Sequence, residues 1–334
     1  MSLEHASPAH PSTHHAVVVA SAGGPEALAW TEVPVPTPAA GQVLVRTAAA
    51  GLNFIETYQR SGVYAVDVPF TPGTEGAGEV VAVGDGVDGS LVGRRVATAA
   101  GHATYAEHFT APADQLLDVP DAMDLADAAA LPLQGMTAHY LCRSTFEVSE
   151  GQTVALTAGA GGVGLLLTQL ASARGARVIA AASTEEKREL SRAAGAHAAV
   201  GYAELRDAVL EATGGEGAHV VYDGVGRDTF EASLTMLRVR GLLVLFGGAS
   251  GQVPPFDLQR LNSGGSLYVT RPSLAAYTRT AEETRQRGAE LFSAWTQGSL
   301  DVRIGARIPL SDAGRAHQLL ESRATTGKVL LTLP

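Results

Sequence analysis

The stretch at residues 157–166, TAGAGGVGLL, places four glycines within six residues, between the apolar run QTVALTA and the leucine-rich segment VGLLLTQLASARG. Gly159, Gly161 and Gly164 fit the pattern G-x-G-x-x-G, which indicates a dinucleotide site when it follows a strand and opens a helix. In such a turn the first glycine permits the tight bend, the second lets the backbone approach a pyrophosphate, and the third lets helix and strand pack closely. The stretch therefore predicts a strand–turn–helix unit that binds a dinucleotide.

The segments around this turn predict the rest of the fold. From Gly151 onward, apolar strands alternate with helical segments, which is typical of a parallel sheet with crossover helices. Residues 16–130 contain short β segments separated by Gly/Pro turns, and the region from Asp301 returns to that style. We predict an α/β protein with a flexible tail at 1–14, a β-rich domain at 15–133 and 301–334, and a doubly wound dinucleotide-binding domain at 134–300.

The tip of the second strand favours NADP(H) over NAD(H). NAD sites usually carry an acidic residue there, which holds the ribose 2′-hydroxyl. Here Ser183 and Thr184 occupy the tip, Lys187 follows, and Tyr202 ends the third strand. A hydroxyl, an ammonium and a phenol can hold a 2′-phosphate that a carboxylate would repel. The alternative for Lys187 is a solvated helix residue that pairs with a neighbouring glutamate.

Composition limits the possible partners. The 334 residues contain 34 acidic and 24 basic side chains, for a net charge of −10, and an acidic surface disfavours nucleic acid and anionic lipid. Cys142 is the only cysteine, so no intrachain disulfide forms, and no apolar run has the length of a membrane span. With no signal-peptide pattern either, we expect a cytoplasmic enzyme or binding protein.

Five segments together resemble a known family. GLNFIETYQRSGVY, AGAGGVGLL, YDGVGRDTF, SLYVTRPSL and ESRATTGKVLL, in this order and spacing, are similar to the zeta-crystallin-type quinone oxidoreductases of the medium-chain dehydrogenase/reductase superfamily. The resemblance covers the chain from about His15 to its end. It implies a GroES-like β domain, a Rossmann domain, NADPH as the cofactor, quinone reduction in the cleft between the domains without a metal, and a homodimer or homotetramer.

The resemblance also implies roles for single residues. Asn53, Tyr58 and Tyr64 would face the quinone. Asn53 and Thr137 would lie near the nicotinamide, and Gly162 and Val163 would meet the pyrophosphate. The 2′-phosphate end would be held by Ser183, Lys187 and Tyr202, and the rest of the cofactor would be lined by Phe246, Gly248, Thr270 and Arg323.

Departures from the zinc-dependent members of the superfamily are informative. Those relatives carry a cysteine ligand where this chain has Asn53, and Gly-His-Glu where it has Gly73–Thr74–Glu75. Without these ligands we expect no catalytic zinc, which argues against alcohol dehydrogenation. A quinone is already a good hydride acceptor, so the protein must mainly bind and orient it. The Asn53 amide or a Tyr58 or Tyr64 hydroxyl could donate to the quinone oxygen on which charge develops.

Several alternatives remain open at this stage. Tyr58 and Tyr64 could simply close a loop onto the core. Arg271 could pair with a cofactor phosphate or with a carboxylate, and Arg323 could clamp the cofactor or join the domains. An NADPH-dependent enone or alkenal reductase would need nearly the same site. A non-catalytic, NADPH-loaded crystallin-like or RNA-binding protein is a further alternative, against which the charge balance argues.

Overall fold

The computed structural model of the protein describes residues 11–333, which fall into two compact units. The first comprises the described part of Met1–Leu133, together with Thr280–Phe292 and Ile304–Pro334. The second comprises Gln134–Arg279 and Ser293–Arg303.

The described chain contains fifteen strands and ten α-helices, together with short 3-10 and π-helical segments. The strands are β1 (Thr13–Val19), β2 (Leu28–Pro34), β3 (Gln42–Leu52), β4 (Gly76–Val83), β5 (Arg95–Thr98), β6 (His108–Pro112), β7 (Leu117–Asp118), β8 (Thr153–Leu156), β9 (Arg177–Ala181), β10 (Ala198–Val200), β11 (Ala218–Asp223), β12 (Leu237–Leu245), β13 (Tyr268–Thr270), β14 (Ile304–Pro309) and β15 (Lys328–Thr332). The helices are α1 (Phe54–Arg60), α2 (Pro132–Tyr140), α3 (Gly162–Ala173), α4 (Glu185–Ala193), α5 (Leu205–Ala212), α6 (Phe230–Thr235), α7 (Gln259–Ser263), α8 (Leu274–Tyr277), α9 (Ala281–Thr296) and α10 (Ala313–Glu321).

The second unit is built on a six-stranded parallel sheet with the order β10-β9-β8-β11-β12-β13. Numbered within the unit, this is the order 3-2-1-4-5-6 of a doubly wound dinucleotide-binding fold. Strand β8 is buried at all four positions, as expected for a parallel strand covered on both faces. The direction of winding changes between β8 and β11, and ligands of such sheets bind outside the carboxyl ends of the strands at that point. The predicted α/β class is confirmed.

The first unit contains a seven-stranded sheet, ordered β14-β15-β3-β4-β5-β7 with β6 also paired to β3, and a two-stranded sheet of β1 and β2. Strand β3 is central because it pairs with β4, β6 and β15. Two apolar clusters lie against this sheet: one includes Val45, Val80 and Phe109, and the other includes Leu52 and Leu331. Since β14 and β15 lie beyond the second unit in sequence, the sheet joins distant parts of the chain.

Two predicted boundaries differ from the observed ones. The predicted tail at 1–14 extends too far, because β1 begins at Thr13 and the buried His14 accepts a hydrogen bond through Nδ1 from the His108 N–H at 3.1 Å; residues 1–10 of that tail lie outside the described residues. Residues 280–292, which we assigned to the dinucleotide-binding domain, group with the first unit. There the Thr284 hydroxyl donates to Gln115 Oε1 at 2.7 Å, and the backbone of α9 at Gly288 packs against the Leu117 side chain.

Within residues 11–333, none of the helices is both long enough and apolar enough to span a membrane.

Candidate functional site

The glycine-rich turn leads from β8 into α3. A side chain at Gly164 would bring its Cβ to 2.3 Å from the Ala158 carbonyl oxygen, so only glycine lets the helix pack this close to the strand. At Gly159 the Cβ would lie 2.8 Å from Ser191 Oγ of α4. Gly161 is different, since Ala158 O at 3.2 Å is the one described atom within 4 Å of its would-be Cβ. The space beside the second glycine is thus less crowded than the space beside the first and third, and the approach of a pyrophosphate to this backbone stays a prediction of the motif.

The start of α3 is suited to an anion. Gly161 precedes the helix in an extended conformation, and no side chain of the described residues caps it. The first N–H groups of a helix have no intrahelical acceptor and carry the positive end of its dipole. Gly162 and Val163 are the first two residues of this helix, which leaves their backbone available to a pyrophosphate. The Gln134 side chain lies against this helix start, and its Oε1 occupies the space where a Cβ of Gly162 would lie. A larger residue at position 162 would therefore collide with it.

A buried carboxylate anchors the same turn from the adjacent strand. Asp223, at the end of β11, accepts a hydrogen bond from the Thr157 hydroxyl at 3.0 Å. Further donors to its two oxygens are the Val225 and Gly226 N–H groups and the hydroxyls of Thr229 and Ser233. The end of β8 is thereby held against the end of β11, next to the point where the sheet changes its winding direction.

The residues predicted to hold a 2′-phosphate lie beyond β9 and β10. Thr184 caps α4 by accepting the Lys187 N–H at 3.3 Å, and burial lowers the pKa of the Lys187 ammonium. The Ala182 N–H donates to Val200 O at 3.0 Å, which joins the two strand ends next to Ser183 and Tyr202. The Tyr202 hydroxyl accepts the Ala158 N–H at 3.3 Å. Tyr202 is thus brought to the glycine-rich turn itself.

The remaining candidates of the second unit follow β12 and β13, apart from Thr137, which is buried on α2. The Phe246 N–H donates to Asp223 O at 3.0 Å, and Gly248 lies two residues further along. Thr270 ends β13 in register with Val244, and Arg271 Nη1 donates to Gly247 O at 3.3 Å. This neutral carbonyl contact is neither of the two pairings considered for Arg271. The carboxyl ends of the strands therefore carry these side chains along one edge of the sheet.

The predicted quinone-facing residues lie in the first unit, at and after α1. Asn53 directly precedes the helix, and Glu56 Oε2 accepts the Asn53 N–H at 2.8 Å, which satisfies a donor at the helix start. The rings of Tyr58 and Tyr64 meet edge to face with centroids 5.4 Å apart, and the Tyr64 N–H donates to Tyr58 O at 3.0 Å. Tyr64 is partly exposed. Arg323 also lies in this unit, between α10 and β15, with a φ of 58°.

Sequence reasoning missed the buried charges beneath Asn53. Lys328 and Glu75 form an ion pair with side chains 1% and 0% exposed. The Lys328 ammonium also donates to Asn53 Oδ1 at 2.7 Å, while Asn53 Nδ2 donates to Glu75 Oε2 at 2.9 Å and to Gly51 O at 3.2 Å. The antiparallel register of β15 and β3 pairs Val329 with Leu52, which brings their neighbours Lys328 and Asn53 together. The sequence feature that could have pointed to Lys328 is the scarcity of lysine, which occurs only twice in the chain.

Glu75 and Glu56 extend this cluster. Glu75 Oε1 accepts the Leu133 N–H at 2.7 Å, in the first turn of α2. Glu56 is fully buried, and burial raises the pKa of its carboxyl group to about 8, against the opposing effect of the Lys328 charge. Its Oε1 atom has no hydrogen-bond partner among the described residues. Near neutral pH, Glu56 therefore carries a proton while its neighbours form an ion pair.

Residues 11–333 contain no group of three or more His, Cys, Asp or Glu side chains placed to hold a metal ion. By the resemblance described above, Asn53 and Thr74 would stand where zinc-dependent relatives carry ligands. The Asn53 side chain instead bonds to an ammonium group and a carboxylate, as given above.

Comparison with known proteins agrees with this architecture. Residues 39–121 match the family model of the alcohol dehydrogenase GroES-like domain, and residues 162–292 match that of the zinc-binding dehydrogenases. The two matches and the doubly wound sheet define a medium-chain dehydrogenase/reductase.

Individual relatives show to which family within this superfamily the chain belongs. The quinone oxidoreductase of Pseudomonas aeruginosa is 44% identical over 93% of this chain and 97% of its own length. The 2-haloacrylate reductase of a Burkholderia species is 39% identical over 95% of this chain and 98% of its own length. A mycobacterial protein solved in complex with NADPH superposes with a TM-score of 0.93 at 49% identity, covering 95% of this chain and 99% of that one. The chain belongs to the quinone oxidoreductase family, as the five quoted segments predicted.

Proposed function

We propose that this protein is an NADPH-dependent quinone reductase. The observation that carries the proposal is the combination of a family relationship at 44% identity with a glycine-rich turn that follows β8 and opens α3 without a side-chain cap. The net reaction reduces a quinone to a hydroquinone, with a hydride from NADPH and a proton from the protein or the solvent. Bound NADPH supplies the hydride. The protein binds and orients the quinone and stabilises the charge that develops on it.

The second unit would hold the cofactor. In this proposal the start of α3 receives the pyrophosphate at Gly162 and Val163, and Ser183, Lys187 and Tyr202 receive the 2′-phosphate. The absence of a carboxylate at Ser183 supports NADPH over NADH, because an acid there would repel the extra phosphate. Thr137, Phe246, Gly248, Thr270 and Arg271 would contact the remaining cofactor groups, and Arg323 is a further candidate for this role.

The first unit would act on the quinone. Charge develops on a quinone oxygen as the hydride arrives, and hydrogen-bond donors aimed at that oxygen lower the barrier. The Asn53 amide and the hydroxyls of Tyr58 and Tyr64 are the donors we assign to this role. The contact between the two tyrosine rings supports a joint role, since each restricts the orientation of the other.

The deciding experiment mixes purified protein with 1,4-benzoquinone and follows nicotinamide absorbance, with NADPH and NADH in parallel. Fast loss of NADPH that depends on the quinone, with NADH much slower, supports both the reaction and the 2′-phosphate site. Loss of neither cofactor contradicts the proposal. Equal rates with NADPH and NADH would support the reductase activity but contradict the role assigned to Lys187.

A second candidate is an enone or alkenal reductase, which the similarity to a 2-haloacrylate reductase favours. It would pass the hydride to a carbon conjugated to a carbonyl group. Turnover of an α,β-unsaturated ketone, measured beside the quinone under the same conditions, separates the two activities. A non-catalytic crystallin-like or RNA-binding role would require NADPH retention without turnover, or micromolar binding to AU-rich RNA in a filter assay at physiological salt.

We further propose a cytoplasmic homodimer formed through β13. This strand lies at the edge of the second unit's sheet, where its backbone can pair with another strand, and Tyr268 on it is 60% exposed. Light scattering on the wild type and on Tyr268→Lys, which places a charge on this exposed edge strand, tests the dimer.

A further inference from the structure

We propose that Glu75 and Lys328 are positioning residues for the reduction, an inference that rests on the proposed function. Their ion pair would hold the Asn53 amide in one orientation and provide it with a positive neighbour. Neither residue belongs to the set that the sequence assigned to the site.

The chemistry of the cluster defines which way the Asn53 amide faces. An ammonium group only donates hydrogen bonds and an ionised carboxylate only accepts them. The atom 2.7 Å from Lys328 Nζ must therefore be Oδ1, and the atom 2.9 Å from Glu75 Oε2 must be Nδ2. Rotation of the amide by 180° would set donor against donor and acceptor against acceptor. The ion pair thus locks the side chain on which the proposed quinone contact depends.

Stability alone does not account for the pair. Replacing a buried ion pair with well-packed apolar side chains is often neutral or stabilising, because both charges must lose their hydration. Here both side chains are almost completely buried. A sequence that contains only two lysines nevertheless places one of them at this position.

Glu75 acts on two segments that matter for the site. Its Oε2 atom holds Asn53, and its Oε1 atom accepts the Leu133 N–H in the first turn of α2 at 2.7 Å. The same helix continues to Thr137, which the proposed function assigns to the cofactor. One carboxylate therefore fixes both the Asn53 side chain and the beginning of the Thr137 helix.

Lys328 would also strengthen the donor. An amide whose oxygen accepts from an ammonium group is polarised, so its N–H groups donate more strongly. A positive charge in a buried site also favours negative charge nearby far more than it would in water. Asn53 Nδ2 donates two hydrogen bonds, and the one to Gly51 O, at 3.2 Å, is the longer of them. It is the bond that a quinone oxygen could share or replace as it gains charge.

The test compares four variants with the wild type. Lys328→Met removes the charge and both hydrogen bonds, and Lys328→Arg restores a cation with several donors. The double variant Glu75→Gln with Lys328→Met removes the unpaired charge that the single change would leave buried. Arg46→Met is the charge control, since Arg46 forms an exposed ion pair with Glu79 at 2.7 Å in the same unit. Each protein is assayed for kcat and KM with 1,4-benzoquinone, for the Kd of NADPH by fluorescence, and for Tm.

We expect Lys328→Met to lower kcat at least tenfold with the NADPH Kd unchanged within twofold, and Lys328→Arg to recover part of kcat. The double variant should regain Tm without regaining kcat, and Arg46→Met should match the wild type. Recovery of kcat together with Tm in the double variant would reduce the pair to scaffolding and overturn the inference, as would an unchanged kcat in Lys328→Met. A wild type that reduces no quinone overturns the proposed function and this inference with it.

Discussion

The Thr157 hydroxyl donates to Asp223 Oδ1 at 3.0 Å and also accepts the Gly224 N–H at 2.9 Å. It therefore joins the carboxyl ends of the two strands between which the sheet changes its winding direction. The glycine-rich turn begins at the next residues. Its shape is thus set by a buried polar contact as well as by the small size of its glycines.

Thr157→Val keeps the shape of the side chain but removes one of the donors to Asp223 and leaves the Gly224 N–H without its acceptor. We expect a loss of about 1–3 kcal/mol in the free energy of unfolding, since two hydrogen bonds of the network around the buried Asp223 are lost. NADPH affinity should also fall severalfold, because the turn is less firmly held. Urea unfolding and fluorescence titration measure the two effects. Thr153→Val is the matched control, since Thr153 is buried at the start of the same strand and lies outside the Asp223 network. Equal effects at both positions would contradict the anchoring role.

Ser183→Asp tests cofactor choice. The new carboxylate would repel the 2′-phosphate of NADPH. It could accept hydrogen bonds from both ribose hydroxyl groups of NADH. We expect the ratio of kcat/KM for NADPH over NADH to fall by at least a factor of about ten, which corresponds to roughly 1.4 kcal/mol. Ser183→Asn serves as the uncharged control. If both substitutions change the ratio equally, size rather than charge determines the preference.

Glu56 should make stability depend on pH in an unusual direction. The pKa of its carboxyl group is about 8 in the folded protein, above the ordinary 4.5, because burial disfavours the charged form. The folded state therefore holds this proton more tightly than the unfolded state. The stabilisation is complete below pH 4.5 and is lost as the pH rises through 8, by about 1.4 kcal/mol per pH unit between the two values.

Glu56→Gln retains an acceptor for the Asn53 N–H and cannot ionise. Urea unfolding of both proteins between pH 5 and pH 8 should show the wild type losing stability relative to the variant as the pH rises. The charges that face Glu56, those of Lys328 and Glu75, are the same in both proteins. Glu79→Gln, at an exposed carboxyl group, is the control. Parallel curves for wild type and Glu56→Gln would refute the assignment.

His317 should act in the opposite sense. It is fully buried, and burial together with the adjacent Arg60 lowers the pKa of its imidazole to about 3. Arg60 Nη1 lies 3.1 Å from His317 Nδ1 and can only donate, so Nδ1 accepts and the proton resides on Nε2, which faces the Tyr105 hydroxyl at 3.3 Å. Stability from this neutral ring is present above pH 6.5 and is lost as the pH falls towards 3.

His317→Gln can replace both hydrogen bonds without taking up a proton. We expect the wild type to lose stability relative to this variant between pH 6.5 and pH 4, again by about 1.4 kcal/mol per pH unit. Denaturant unfolding at closely spaced pH values measures the difference. His102→Gln, at an exposed ring, should follow the wild type. A wild type whose acid sensitivity equals that of His317→Gln would show that another group titrates.

The sequence predicted those parts of the molecule that depend on local patterns. Gly159, Gly161 and Gly164 could be assigned because a strand–turn–helix unit imposes their spacing within six residues. The alternation of strands and helices likewise predicted the parallel sheet of the second unit, and the β-rich style of both ends predicted the first. These features depend on neighbours in the chain, which a single sequence displays directly.

The buried cluster around Asn53 could not be predicted in this way. Lys328 and Asn53 are 275 positions apart, and only the pairing register of β15 with β3 brings them together. A shift of that register by one residue would turn Lys328 to the other face of the strand. Asp223 was overlooked for a related reason, because its donors come partly from a different strand and from α6.

The pairing of β15 with β3 also has a consequence for biosynthesis. Strand β15 follows the entire second unit in sequence, so the ribosome makes it only after that unit's sheet has been translated. The second unit can begin to fold while the part of β3 that pairs with β15 is still unpaired on that side. Lys328 arrives with β15, and Asn53 and Glu75 remain without their cation until then. The order of translation therefore delays assembly of the Asn53 cluster until after all strands of the second unit's sheet have been synthesised.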